Sequence, residues 1–469
     1  MSASFRAWSF PSGVSAPPGP GLSVEVGSVT VRHLEIDAVW VRALCSFLRE
    51  SREALASYRV ADLARILGTV GSRFADLRDP YRTEALALLP ATSGLSREMT
   101  VAVLDGMAAD WTPDRLTAAL QADFGDPDLL DGFAATGAGG SRFRAVGPGL
   151  CTQVVAGSVP GVGVTALIRS LLVKAPTLLK PGLGDVVLPV LFARALREED
   201  ATLADAAAVV YWPGGSEALE NAALRQSEMV VAYGGDEAVT ALRSRTPVTA
   251  RFQAYHNRMS LGVVGRGALT RDGSPAAADA VAMAVGMFDQ RGCVSPQVVY
   301  VEEGGEVAPP EFARHLAAAL AGLEGRLPSG RPSPSEAATL QQTRGVAEMM
   351  AATGSGVELH HGGEASWTVI YDPAPAFAAG CVARTVRVKP IADVDGVPQQ
   401  IASFGRHLQT VGVTGCGARL TELAERLARV GVSRIAPFGR IAFPPAWWRH
   451  DGRGPLETLV RWVELDAKP

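Results

Sequence analysis

The feature that most constrains the fold is a regular alternation of apolar and amphipathic segments between residues 151 and 264. Short apolar runs, which read as buried strands, are separated by segments of about ten residues with helical periodicity. This pattern is typical of β-α-β units, in which helices cover both faces of a parallel sheet. The predicted strands are 151–156, 177–180, 208–212, 229–233, 249–252 and 261–264, and the predicted helices are 163–174, 186–197, 216–225 and 237–243.

A second α/β unit is predicted to begin near residue 265. Its predicted helices are 275–288, 310–323, 335–353 and 418–430, and its predicted strands are 298–302, 367–371, 384–389 and 408–413. The tail 456–464 carries an apolar stripe that suits a final helix or strand. We therefore expect three parts: an N-terminal segment with a dinucleotide-binding domain (1–265), a catalytic domain (266–440) and a C-terminal segment (441–469). A hairpin is also expected between 142–150 and 151–156.

Length and charge exclude several classes of protein. A chain of 469 residues is too long for one ordinary core. Its net charge of −4 and pI near 6.0 show no basic bias, so nucleic acid is not an expected partner. No apolar stretch reaches the roughly 18 residues of a membrane span, and the amino terminus lacks the pattern of a signal peptide. We expect a soluble, cytoplasmic protein.

The cysteines predict neither a disulfide scaffold nor a metal site. All five lie far apart, without a Cys-x-x-Cys pair or a histidine at ligand spacing. This arrangement suits a reducing compartment.

Cys293 is the candidate nucleophile. It is predicted to lie on a turn between the helix 275–288 and the strand 298–302, where a thiol can meet a substrate. A thiol reacts as the thiolate, and Gly292 leaves room for a carbonyl to approach the Cys293 N–H, which could stabilise an oxyanion. The alternative is that Cys293 is a small buried apolar residue.

Two glycine motifs are candidates for a dinucleotide site. Gly161-Val-Gly163-Val-Thr-Ala166 follows a predicted strand and begins a helix, as in the dinucleotide fingerprint. Where that fingerprint expects an acid for the ribose, the chain has Lys180, which suits a 2′-phosphate and therefore NADP; the alternative is a solvated lysine at a strand end. The motif Gly234-Gly235 also joins a strand to a helix, and we prefer it because it lies later in the sheet.

Taken together, these elements resemble the acyl-CoA reductase family of the aldehyde dehydrogenase superfamily, whose best-known members supply aldehyde for bacterial luciferase. The resemblance covers roughly residues 145–465, and its Cys-x-Ser-Pro-Gln and His-Asp-Gly pieces are fairly specific. Its motifs are Gly157-Ser-Val-Pro-Gly161, Leu171-Leu-Val-Lys174, Leu179-Lys-Pro-Gly182, Tyr211-Trp-Pro-Gly-Gly215, Tyr233-Gly-Gly-Asp-Glu237, Cys293-Val-Ser-Pro-Gln297, Leu408-Gln-Thr-Val411 and Trp448-Arg-His-Asp-Gly452.

The resemblance implies an aldehyde dehydrogenase-like fold, with a Rossmann-type cofactor domain and an α/β catalytic domain that carries the nucleophile Cys293. It implies that Lys180 contacts the adenosine ribose or its phosphate. The other residues expected beside the cofactor, NADPH, are Pro181, Gly182, Gly214, Gly234 and Gly235. It also implies a homo-oligomer, with a hairpin near 142–155 and a late strand near 460–464 that pairs between subunits.

Two departures from the superfamily concern catalysis. Ser158 stands where the superfamily usually places an oxyanion-binding Asn, and its shorter side chain is a weaker donor there. The stretch 254–260 lacks the Glu that activates water in the hydrolytic members, which suits an enzyme whose acyl intermediate is reduced. His256, in the same stretch, is a candidate proton donor or base for the thiol; a packed or solvated histidine is the alternative.

The leading hypothesis is NADPH-dependent reduction of an acyl thioester to the aldehyde through an S-acyl intermediate on Cys293. The expected substrate is a fatty acyl-CoA or an acyl carrier protein thioester. One alternative is a CoA-acylating aldehyde dehydrogenase that works in the oxidative direction. Others are a cysteine acyltransferase without hydride transfer and a non-catalytic subunit that retains the fold.

Overall fold

The structure is a computed structural model that describes residues 3–135, 141–363, 366–378 and 383–466. The chain divides into two compact units. The first unit comprises Met1–Ser93, Val101–His256 and Pro445–Pro469, and the second comprises Gly94–Thr100 and Asn257–Pro444.

The strands of the described residues lie in four sheets. In chain order they are β1 (Ala3–Arg6), β2 (Trp8–Ser9), β3 (Leu22–Val26), β4 (Val29–His33), β5 (Ala134–Ala135), β6 (Arg142–Val146), β7 (Cys151–Val155), β8 (Thr177–Pro181), β9 (Ala207–Val210), β10 (Met229–Tyr233), β11 (Arg251–Tyr255), β12 (Met259–Val264), β13 (Pro296–Glu302), β14 (Glu358–His361), β15 (Thr368–Tyr371), β16 (Thr385–Ile391), β17 (Leu408–Thr414), β18 (Arg434–Pro437) and β19 (Arg461–Leu465).

After residue 150, the α-helices of the described residues each lie between two of these strands along the chain. In chain order they are α1 (Ala38–Glu50), α2 (Arg52–Ala56), α3 (Val60–Arg73), α4 (Pro80–Ser93), α5 (Arg97–Ala108), α6 (Pro113–Phe124), α7 (Val162–Leu172), α8 (Val187–Glu199), α9 (Ala201–Ala204), α10 (Glu217–Leu224), α11 (Asp236–Arg245), α12 (Gly273–Gly286), α13 (Pro309–Arg326), α14 (Pro334–Ala352), α15 (Val397–Ile401) and α16 (Leu420–Arg429). Each of them is too short or too polar to cross a lipid bilayer.

The large sheet of the first unit has the strand order β11-β10-β7-β8-β9-β2. Its first five strands are parallel, and β2 pairs antiparallel with β9. Every residue of β8 and β9 is buried, as expected for strands covered on both faces. The parallel sheet predicted from the alternation is therefore confirmed.

The large sheet of the second unit has the order β14-β15-β16-β13-β12-β17-β18, in which only β14 is antiparallel to its neighbour. The sequence pattern assigned the strand 261–264 to the first α/β unit. In the structure the corresponding strand, β12, lies in the middle of this second sheet. Gly262 and Gly412 make room for the Phe438 ring, because a Cβ at either position would lie 2.7 Å from a ring atom.

The hairpin expected near 142–155 does not form. Strand β7 has parallel partners on both edges, β8 and β10, so neither edge remains for β6. Strand β6 instead pairs antiparallel with β5 and β19 in a separate sheet. The tail, which suited either a helix or a strand, thus ends in a strand that pairs within its own chain. Pairing of this tail between subunits stays a prediction.

The C-terminal segment also attaches to the edge strand β11 of the large sheet. The Arg251 guanidinium donates hydrogen bonds to the backbone oxygens of Leu459 and Val460, each at 2.6 Å. Asp123 accepts from the backbone N–H of Leu456 at 2.7 Å. Leu456 and Val460 are buried in the core of the first unit. The segment therefore completes the first unit.

Candidate active site

Cys293 lies on the turn between α12 and β13 in the second unit, and it is exposed. Cys45, Cys151 and Cys416 are buried. Burial raises the pKa of the Cys45 and Cys151 thiols to about 12 and also raises that of Cys416, so these three remain protonated at neutral pH. Cys381 lies outside the described residues. Among the cysteines that the structure describes, Cys293 alone has the access to solvent that a nucleophile needs.

The residues that lead into this turn have an unusual backbone conformation. Phe288, Asp289 and Gln290 have φ angles of 58°, 49° and 65°, all in the left-handed region. Each costs about 1 kcal/mol or more, because the Cβ of a non-glycine residue crowds a carbonyl oxygen there. All three residues are buried. Such strain persists where the surrounding contacts determine the conformation.

Gln290 supplies the most extensive of these contacts. Its Nε2 donates to the backbone oxygens of Pro296 at 2.8 Å and Thr385 at 2.7 Å. Its Oε1 accepts from the backbone N–H of Thr385 at 2.8 Å. Because Pro296 and Thr385 are the first residues of β13 and β16, this one amide joins the turn to two neighbouring strands.

Asp289 and Phe288 are fixed by different contacts. The Asp289 carboxylate pairs with the buried Arg384 guanidinium at 2.7 Å and accepts from the Gly330 N–H at 3.0 Å. The Phe288 ring packs edge-on against Phe443, with 5.2 Å between the ring centroids. The left-handed segment is therefore anchored at each of its three residues.

The backbone of Cys293 is also restrained by the neighbouring strand β12, through Ser260. Ser260 Oγ donates to the Cys293 carbonyl oxygen at 2.7 Å and accepts from the Thr410 N–H at 3.2 Å. The Ser295 N–H donates to the Gly292 oxygen at 3.0 Å, which closes a tight turn around the cysteine. Gly292 packs closely against Phe288, since a Cβ there would lie 3.1 Å from the Phe288 ring and the ring would have to shift slightly.

In the first unit, the first glycine motif is filled by a carboxylate of the chain itself. The N–H groups of Gly161 and Gly163 donate to the two carboxylate oxygens of Asp185, both at 2.7 Å. These groups begin α7 and are the ones that would face a phosphate. Burial raises the pKa of Asp185 to about 7, although both hydrogen bonds lower it. This arrangement leaves the second glycine motif as the candidate phosphate site.

Lys180 lies at the carboxyl end of β8 and is only 7% exposed. The interpretation of Lys180 as a solvated lysine is therefore wrong. Burial lowers the pKa of its ammonium, and the charge of Glu220 opposes that change. The ammonium lies 6.0 Å from the Tyr211 ring centroid and forms no hydrogen bond or ion pair with any residue the structure describes. A buried cation in this state fits an anionic ligand.

Pro181 and Gly182 follow Lys180 and approach the loop that carries Ser158. A Cβ at Gly182 would lie 2.4 Å from the backbone nitrogen of Gly157, so glycine is needed for this contact between loops. Ser158 itself is exposed.

Gly234 and Gly235 connect β10 to α11. The Gly234 N–H donates to the Tyr255 carbonyl at 3.1 Å, and a Cβ at Gly234 would lie 3.7 Å from its nearest neighbour, the Ala238 side chain. Gly214 follows β9, and no atom lies within 4 Å of its Cβ position. Both positions therefore leave space for a ligand.

His256 directly follows β11, and its Nδ1 lies 3.2 Å from the Asp236 carboxylate. Asp236 begins α11, immediately after Gly235. This pairing orients the imidazole ring and places it beside the second glycine motif.

A stack of four rings in the first unit was missed in the sequence. Tyr233 stacks on Tyr255 at 4.6 Å, Tyr255 on His450 at 4.2 Å, and His450 on Trp448 at 4.3 Å between centroids. The tyrosines are the last residues of the paired strands β10 and β11, whereas the other two rings come from the C-terminal segment. The two tyrosines could have indicated part of this stack from the sequence. Its other two rings, His450 and Trp448, could not, because they lie about 200 residues further along the chain.

The structure thus gathers eight of the nine predicted site residues at one edge of the first sheet, because the carboxyl ends of parallel strands meet there. They are Ser158 after β7, Lys180, Pro181 and Gly182 at β8, Gly214 after β9, Gly234 and Gly235 after β10, and His256 after β11. The ninth, Cys293, lies in the second unit.

The family model described as acyl-CoA reductase (LuxC) matches residues 55–462. The long-chain acyl-protein thioester reductase of Aliivibrio fischeri is 26% identical over 412 residues, which cover 86% of this chain and 81% of that protein. The corresponding protein of Photobacterium phosphoreum is 22% identical over 424 residues, which cover 88% of this chain and 82% of that protein.

Solved structures of aldehyde dehydrogenases share the fold. The methylmalonate-semialdehyde dehydrogenase of Oceanimonas doudoroffii has a TM-score of 0.76 at 13% identity, over 99% of this chain and 98% of that one. The NAD-dependent aldehyde dehydrogenase of Sinorhizobium meliloti has a TM-score of 0.75 at 14% identity, over 99% of this chain and 95% of that one. The predicted aldehyde dehydrogenase-like α/β fold is confirmed.

Proposed function

Because this chain belongs to the acyl-CoA reductase (LuxC) family, we propose that it reduces a fatty acyl thioester to the aldehyde with NADPH, through an S-acyl intermediate on Cys293. The observation that carries this proposal is that Cys293 is exposed, on a turn whose backbone is restrained by hydrogen bonds, whereas Cys45, Cys151 and Cys416 are buried. An exposed reactive thiol suits the reducing conditions of the cytoplasm.

In the proposed reaction the Cys293 thiolate attacks the carbonyl carbon of the thioester. A bond forms between that carbon and the Cys293 sulfur, the original carbon–sulfur bond breaks, and the departing thiolate takes up a proton. Reduction of the S-acyl group consumes one hydride and one proton and releases the aldehyde and the Cys293 thiol. NADPH, when bound, supplies the hydride.

Residues of the first unit are proposed to bind the cofactor. The Lys180 ammonium, a buried cation without a hydrogen-bonded partner among the described residues, would bind the 2′-phosphate of the adenosine ribose. Pro181 and Gly182 shape the loop beside it. Gly214 and Gly234 leave space that a cofactor could fill, and Gly235, which follows Gly234 at the start of α11, is proposed to lie beside the cofactor.

Ser158 and His256 are proposed to take the two remaining roles. The exposed Ser158 hydroxyl would donate a hydrogen bond to the acyl oxygen as negative charge develops. His256, oriented by Asp236, would supply the proton that the reduction consumes.

The proposed substrate is a long-chain acyl thioester presented by CoA or by a protein. The relatives from Aliivibrio fischeri and Photobacterium phosphoreum carry the name long-chain acyl-protein thioester reductase, and the family description names acyl-CoA. Both thioesters place the same acyl carbon before the thiolate, so the chemistry at Cys293 is shared.

The first experiment tests Cys293. Wild-type protein mixed with long-chain acyl-CoA should consume NADPH, and without NADPH it should gain the mass of one acyl group at Cys293. Cys293→Ala should do neither, yet should retain NADPH binding. The matched control is Cys416→Ala, which removes a buried thiol of the same unit and should keep both activities. Aldehyde formation by Cys293→Ala at the wild-type rate would refute the proposal.

The second experiment tests Lys180. Lys180→Met should weaken NADPH binding at least tenfold and NADH binding much less, because only NADPH carries the 2′-phosphate. The matched control is Lys174→Met, since Lys174 is equally buried but pairs with Asp131 at 2.6 Å. An unchanged NADPH dissociation constant in Lys180→Met would remove Lys180 from the cofactor site.

A further inference from the structure

We propose that Gln290 and Ser260 are positioning residues that hold the Cys293 turn in its reactive geometry. This inference rests on the proposed function of Cys293 as the acyl-accepting nucleophile. It concerns contacts within the second unit alone.

Gln290 closes a short loop with Cys293 at its centre. The hydrogen bond from Gln290 Nε2 to the Pro296 oxygen joins two residues that flank Cys293 by three positions on either side. Within the segment 290–296, this bond adds to the bond from the Ser295 N–H to the Gly292 oxygen and to the bond from Ser260 Oγ to the Cys293 oxygen.

The Gln290 amide also completes the ends of two strands. Val298 pairs with Arg387 in the parallel ladder of β13 and β16, so continuing the register places Pro296 opposite Thr385. Because Pro296 has no backbone N–H, it cannot donate a hydrogen bond at this end of the ladder. The Gln290 side chain bonds to both backbone groups of Thr385 and to the Pro296 oxygen, and so takes the place of a peptide group between the strands.

Ser260 holds the same turn from the neighbouring strand on the other side of β13. Its hydroxyl connects the Cys293 carbonyl oxygen to the Thr410 N–H at the start of β17. The Cys293 turn is thus bonded to four adjacent strands. Gln290 bonds to β13 and β16, and Ser260, in β12, bonds to Thr410 in β17.

These contacts restrain the backbone of Cys293, although the residue itself is exposed to solvent. A turn needed only to connect α12 to β13 would not require three strained, buried residues before it. A nucleophile does require such restraint, because a displacement of about 1 Å from the attack geometry can slow a reaction 100-fold.

The test compares Gln290→Met with Gln153→Met. Gln153 is a buried amide of the first unit that donates to Ala166 O at 3.0 Å and to Ser170 Oγ at 2.6 Å. Acylation by long-chain acyl-CoA, followed by intact mass without NADPH, should be at least tenfold slower in Gln290→Met than in Gln153→Met. Steady-state kcat should fall with KM within about twofold, and the NADPH dissociation constant should not change.

A second pair keeps the test decisive if Gln290→Met does not fold. Ser260→Ala removes one hydroxyl and should slow acylation several-fold. Its matched control is Ser274→Ala, which removes a buried hydroxyl of the same unit that bonds to His315 Nδ1 at 2.8 Å. All rates are compared at a temperature where circular dichroism shows every variant folded.

The outcomes separate the two proposals. If wild-type protein acquires no acyl group on Cys293, the proposed function fails. If it does acquire one and the folded Gln290 and Ser260 variants acylate within twofold of their controls, the positioning role is overturned while the proposed function stands.

Discussion

Replacing Glu302 by glutamine should destabilise the second unit in a way that depends on pH. Glu302 is fully buried at the carboxyl end of β13. One of its carboxylate oxygens accepts from Arg266 Nη2 at 2.7 Å and Arg419 Nη1 at 2.5 Å. The other accepts from the Arg266 N–H and Arg419 Nη2, both at 2.7 Å. Glutamine would offer one acceptor and turn an NH₂ group towards these donors.

The magnitude follows from the pKa of Glu302. Burial raises this pKa, but the hydrogen bonds from Arg419 and Arg266 outweigh burial and lower it from 4.5 to about 2. A difference of this size corresponds to about 3 kcal/mol at neutral pH. Because the side chains of Arg266 and Arg419 are 47% and 32% exposed, solvent screening reduces the expected loss in Glu302→Gln to roughly 1–2 kcal/mol.

The sign follows from the folded pKa lying below the unfolded one. The stabilisation is present above pH 4.5 and is lost as the pH falls through about 2. Urea unfolding of wild type and Glu302→Gln at several pH values should therefore show a difference that is constant near pH 7 and shrinks below pH 4.5. The exposed Glu422, which pairs with Arg426, provides the control variant Glu422→Gln, for which we expect no measurable change. A difference between wild type and Glu302→Gln that stays constant down to pH 3.5 would refute the reasoning.

Three further predictions concern other residues. Iodoacetamide at pH 7 should modify Cys293 well before Cys45, Cys151 or Cys416, because those three thiols are buried with raised pKa values; peptide mapping would show the order. Asp185→Ala should lower the free energy of unfolding by about 2 kcal/mol or more, because the N–H groups of Gly161 and Gly163 lose their acceptor. Since the folded pKa of Asp185, about 7, lies above the ordinary 3.8, urea unfolding should show a larger loss at pH 5 than at pH 8, and the reverse order would contradict this assignment. His450→Ala should cost about 1–3 kcal/mol through two lost ring contacts and His450→Phe much less, so equal melting temperatures for the two variants would count against the stack.

Much of the fold could be predicted from the sequence because the evidence for it is local. The apolar run at 229–233 becomes β10 with the same bounds, and the alternation around it predicted the parallel sheet. A cysteine between a helical and an apolar segment also predicted the exposed turn at Cys293. These features depend on the periodicity of neighbouring residues, which a single chain displays directly.

The tertiary structure decided what depends on distant partners. Local periodicity predicted a strand near 261–264 without indicating its sheet, and it predicted a hairpin where β7 already has two parallel neighbours. Only the fold shows that Asp185 fills the first glycine motif. The left-handed conformation of Phe288–Gln290 likewise depends on bonds to residues as far away as Thr385, 95 positions along the chain, because its strain is offset only once those partners have assembled.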